Sequence, residues 1–132
     1  MKIVADTNVL LRFVLADDPK QYRSAKEALE KATAVLVTNH ALCEMVWVLR
    51  SRYGVSRDNL VATISLVRET ENVVLDLQAV NAGIAALQSG ADFADGVIAY
   101  EGHWLGGETF VSFDKKAVAA VEKQGQKAKL LK

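Results

Sequence analysis

The strongest constraint on this chain is a series of short apolar runs separated by stretches of helical period. Ile3-Val4-Ala5, Ala34-Val35-Leu36-Val37, Val73-Val74-Leu75 and Thr109-Phe110-Val111-Ser112-Phe113 read as buried strands. Between the first two, Val9, Leu10 and Phe13 open one helix, and Pro19, with Asp18 as its cap, opens another that runs to about Lys31. Leu42, Met45, Val46, Leu49 and Tyr53 keep helical spacing until Gly54 stops them. Ser56 caps a helix with Leu60, Ile64 and Val67 on its inner face. Further helices are predicted over Val80 to Gln88, Phe93 to Tyr100 and from about Lys115, with a short end strand near Lys129-Leu130. Strands alternating with helices require crossover connections, hence parallel pairing covered by helices. The expectation is a helix-rich α/β protein, a three-layer α/β/α sandwich with a central parallel sheet, as a single domain over residues 1–132.

Composition narrows the class. Hydrophobic residues make up 51% and charged residues 24%, as in a compact water-soluble protein. The lone cysteine, Cys43, excludes an internal disulfide and a cysteine-rich zinc site, and its helical apolar surroundings suit a packed thiol. No run has the length of a membrane helix or a signal peptide, so a cytoplasmic location is expected. The net charge of zero is unevenly spread. From Asp114 onward six lysines face two acids, leaving +4 there and −4 over residues 1–113. A polyanionic partner would therefore need local patches or a bound cation.

The familiar phosphate loops and the nucleophile elbow are missing. His40 and His103 have ordinary places at a helix start and a helix end. Carboxylates in awkward positions remain. Asp6 directly follows the first strand, where it can cap the next helix or stand at the ligand-binding edge of a parallel sheet. Asp114 repeats that situation after Thr109–Phe113. Glu44 lies inside the apolar helical stretch ALCEMVWVL, which predicts that it faces a cleft or partner residues and not simply water. Asp92 and Asp95, three apart, are neighbours at a helix start. The helix dipole accounts for Asp92 and less well for Asp95. Acids converging in this way repel unless protonated or bridged by a cation. Hard oxygen donors suit Mg²⁺ or Mn²⁺, and such an ion suits phosphodiester hydrolysis. On that pattern Asp6 reads as a ligand.

DTNVLLRFVLADDP after the first strand, the helical Glu44, DFADGVIA, and SFD after a late strand together resemble a PIN domain, in particular the VapC-type ribonuclease toxins of prokaryotic toxin–antitoxin pairs. The likeness runs in order over nearly the whole chain. It implies that Asp6, Glu44, Asp95 and Asp114 are the four acidic catalytic and metal-site residues, and that Asn8 and Asp92 are accessory. Ser112 stands where the family often has threonine. It further implies a Mg²⁺- or Mn²⁺-dependent endoribonuclease acting on RNA, inhibited by a cognate antitoxin protein, and a homodimer.

Two other readings compete. A receiver-type aspartyl-phosphate domain needs an acidic pair after strand one, whereas Asp17-Asp18 follows a helix and only Asp76 trails a middle strand. A PIN-like module that binds RNA or protein without catalysis would not need all four acids. Between Met45 and Arg57 there is no acid, but Arg50, Arg52 and Arg57 are interleaved with Trp47 and Tyr53. Arg50 and Arg52 are candidate RNA contacts; the same stretch also reads as a solvated cationic helix end. Trp47 and Leu49 could alternatively line a groove for an antitoxin helix.

Overall fold

The computed structural model describes residues 1–132, which fall into two compact units, Met1–Asp76 and Leu77–Lys132. The first contains β1 (Lys2–Val4), α1 (Thr7–Leu15), α2 (Pro19–Lys31), β2 (Ala34–Leu36), α3 (Asn39–Ser51), α4 (Arg57–Glu69) and β3 (Val73–Val74). Its three strands form a parallel sheet in the order β1-β2-β3, with Ile3 opposite Val35 and Leu36 opposite Val74. The ladder continues past the strand ends: Ala5 N–H donates to the Leu36 carbonyl at 3.0 Å, and Val37 N–H to that of Val74 at 2.9 Å.

Capping sets where the helices of this unit begin. Asp18 accepts from the N–H groups of Lys20 and Gln21 with Pro19 at the first helical position, Thr38 accepts from Ala41, and Ser56 from Asn59. α1 ends at Ala16, which takes a left-handed conformation at φ 50° and returns its N–H to the Arg12 carbonyl. Val35, Leu42, Met45, Leu49, Leu60 and Ile64 are almost wholly buried and form the core.

The second unit contains α5 (Leu77–Gln88), α6 (Phe93–Trp104), β4 (Thr109–Ser112), α7 (Lys115–Lys123) and β5 (Lys127–Leu130). β4 and β5 pair in parallel across α7, with Phe110 opposite Ala128. α5 and α6 approach closely because each presents a glycine. A Cβ on Gly96 would strike the backbone of Ala82, and one on Gly83 would lie 2.5 Å from the Phe93 ring. Phe93, Val80, Leu87, Val97 and Val121 fill the core. The helix-rich, parallel α/β character expected from the sequence is present. Its five strands are distributed as two sheets, each within its own unit.

Candidate active site

In the first unit Asp6 sits one residue beyond the β1–β2 ladder and is the N-cap of α1. Its Oδ1 accepts from the Thr7 N–H at 2.8 Å. That donor is the first N–H of the helix, one short of the second or third N–H that a capping carboxylate ordinarily takes. Asn8, one residue further, is exposed, while Thr7 between them is buried. Glu44 lies in the second turn of α3. This helix buries Ala41, Leu42, Met45, Val46 and Leu49 along one stripe, and Glu44 stands exposed away from it. The apolar sequence around Glu44 suggested burial on most sides; instead Trp47, three residues on, lies on the outer face with it.

In the second unit Asp92 is the N-cap of α6 and Asp95 the third residue of its first turn. Oδ2 of Asp95 accepts from the Asp92 N–H at 3.1 Å. Asp95 therefore has a structural part in a capping box, a pairing without the usual signature in the sequence because the usual box carries Glu or Gln there. Asp95 is partly buried, and burial holds its carboxyl above the ordinary carboxylate value. The Asp92 N–H hydrogen bond opposes that rise, and the charges of Asp92 and Asp114 add to it.

Asp114 lies two residues past β4 and caps α7, its Oδ1 accepting from Lys116 N–H at 2.8 Å and Ala117 N–H at 3.3 Å. The Ser112 hydroxyl accepts from the Asp114 N–H at 3.0 Å, which fixes the turn between strand end and cap. This gives Ser112 a definite local task that a threonine would perform equally. Three of the acids thus share a design. Asp6, Asp95 and Asp114 each commit one carboxylate oxygen to a helix N-terminus and keep the second uncommitted.

The alternatives for Asp6 and Asp114, cap or ligand, are therefore not exclusive. Neither unit by itself gathers three His, Cys, Asp or Glu side chains in a metal-binding group. The donors nevertheless fit a hard divalent cation: they are carboxylate oxygens, and the influence of Asp92 and Asp114 on Asp95 is the mutual repulsion that such a cation relieves. Arg50 and Arg52, at the end of α3, are exposed, as are His40 and His103.

Parallel pairing with a helix-capping carboxylate just past a strand, Asp6 in the first unit and Asp114 in the second, defines a class, the small α/β proteins. The sequence matches the PIN domain family over residues 3–123, and the chain belongs to that family. PIN domains are typically metal-dependent nucleases. No curated protein matches the chain. No helix is long and apolar enough to cross a membrane.

Proposed function

We propose that this protein is a Mg²⁺- or Mn²⁺-dependent endoribonuclease, working as one PIN domain over residues 1–132. In this reading Asp6, Glu44, Asp95 and Asp114 are the catalytic, metal-site carboxylates. Asn8, Asp92 and Ser112 support them, and Arg50 and Arg52 contact RNA. The physiological setting is that of a toxin which blocks translation, acting in the cytoplasm as a homodimer and held in check by a cognate antitoxin.

The observation that carries the reading is Asp95, a partly buried carboxylate kept beside two like charges although a neutral residue would relieve the strain. The Asp92 N–H holds Asp95 by one oxygen, so its position is set before any ligand arrives. Asp114 is anchored in the same way by two backbone donors, and Ser112 fixes the turn that presents it. A divalent cation held by these carboxylates would lower the pKa of a water, so that on losing its proton it becomes a hydroxide nucleophile, and would neutralise charge on the phosphate. Arg50 and Arg52 provide charge for neighbouring phosphates.

The test is cleavage of a single-stranded RNA with Mg²⁺, with EDTA, and with EDTA followed by excess Mg²⁺. Loss and recovery are expected; cleavage that persists in EDTA would contradict the reading. For the toxin role, induced expression should arrest growth, and Asp95→Asn should not.

A further inference from the structure

The outer face of α3 carries more than Glu44. Trp47 is three residues further on and so about 4.5 Å along the axis on the same side. Trp47 is 61% exposed, and Tyr53, just beyond the helix, is 48% exposed. The Arg52 guanidinium lies 5.9 Å from the centre of the Trp47 ring, within the range of a cation–π contact. The Ser51 hydroxyl donates to the Trp47 carbonyl at 2.6 Å, which ties down the last turn from which Arg52 reaches back.

We propose that Trp47, with Arg52 beside its ring, is a stacking platform for one unpaired nucleobase of single-stranded RNA. This deepens, and rests on, the ribonuclease reading, because the platform stands one helical turn from Glu44.

Three observations favour RNA over a protein partner. Trp47 is not the centre of an apolar groove: its helical neighbours on the exposed side are Glu44, Arg50 and Ser51. The stretch from Met45 to Arg57 has three arginines and no acid, which complements a phosphate backbone. An exposed indole paired with a guanidinium offers the flat face and positive charge that unpaired bases and their phosphates use, and every base has such a face. The proposal therefore includes tolerance of base identity at this position and rejection of duplex RNA, whose bases are already stacked.

The experiment uses the full chain in EDTA, so that binding is read without cleavage. A labelled single-stranded RNA of about eight nucleotides, and the duplex of the same sequence, are titrated against wild type, Trp47→Ala, Trp47→Phe and Arg52→Ala. Melting curves accompany each variant; the exposed position should leave them unchanged. Trp47→Ala should weaken single-strand binding by about 5- to 150-fold, Trp47→Phe should restore most of it, and duplex binding should be weak and insensitive. Unchanged affinity in Trp47→Ala overturns the platform, as does an equal loss for duplex. Unchanged RNA binding together with lost self-association in sedimentation assigns this face to a protein contact, which also overturns it. Cleavage in Mg²⁺ is measured separately. Cleavage with intact binding in Trp47→Ala removes the platform and leaves the nuclease, whereas lost binding in Trp47→Ala without wild-type cleavage does the reverse.

Discussion

The N–H of Asp92 donates to Oδ2 of Asp95 at 3.1 Å, and this bond holds a partly buried carboxylate at the start of α6. The bond stabilises the charged form while burial and the charges of Asp92 and Asp114 oppose it, and the opposing effects win. The native state therefore holds the Asp95 proton more tightly than the unfolded chain does. Below the ordinary value of 3.8 both states are protonated and the penalty is absent. It grows as pH rises through the raised native value and is then constant. Asp95→Asn keeps an acceptor for the Asp92 N–H and discards the charge. Its stability relative to wild type should therefore rise from acid to neutral pH and level off, as read from urea midpoints across a pH series. Parallel pH profiles would mean that Asp95 is not strained.

Asp114 allows capping to be separated from chemistry. Asp114→Ala removes the acceptor for Lys116 and Ala117 and should cost about 1 kcal/mol of stability, the usual loss for an N-cap. Asp114→Ser keeps a capping oxygen without a carboxylate and should remain near wild-type stability. Both should lose cleavage. An active Asp114→Ser would reduce Asp114 to a cap.

The α5–α6 contact sets where Asp95 stands, because Gly96 follows it directly. Gly96→Ala would drive a methyl into the Ala82 backbone, 2.6 Å from its carbonyl carbon, and backbone cannot rotate away. A loss of about 1–3 kcal/mol is expected from chemical denaturation, as for other overpacked cores. A neutral result would show that the two helices separate without cost.

Most elements could be read from short-range chemistry. Asp18-Pro19, Ser56 and Gly54 mark helix ends by means that act within a few residues, and α2, α3 and α4 begin and end near those marks. α6 continues a turn past Tyr100 to Trp104, because Gly102 is tolerated inside a helix that the tertiary structure supports. The division of five short strands into two sheets depends on contacts distant in sequence, which periodicity does not carry. Among the candidate residues, the acids themselves were legible from their positions after strands and at helix starts. Their double use was not. Asp at the third helical position departs from the usual capping box, so the tie between Asp95 and Asp92 had no recognisable signature. The exposure of Glu44 is not legible in its apolar surroundings, because an apolar string does not say which of its residues faces outward; here it is Trp47.

Binding of a cation should relieve the repulsion at Asp95. Millimolar Mg²⁺ or Mn²⁺ should raise the melting temperature of wild type, because a ligand bound only by the native state adds to its stability. Asp95→Asn should show a smaller rise from a higher metal-free starting point. A wild-type melting temperature indifferent to saturating metal would contradict the carboxylate site.

The most direct measurement is the rate of single-stranded RNA cleavage by Asp95→Asn in saturating Mg²⁺, beside wild type and with both confirmed folded by circular dichroism. The substitution leaves the cap acceptor in place and removes only a charge and the oxygen proposed as a metal ligand. Losing an outer partner of a metal ligand already costs about 10–100-fold in metal affinity or activity, so loss of a ligand itself should lower the rate by at least about 100-fold. A rate equal to wild type would remove Asp95 from the chemistry and leave it a helix cap.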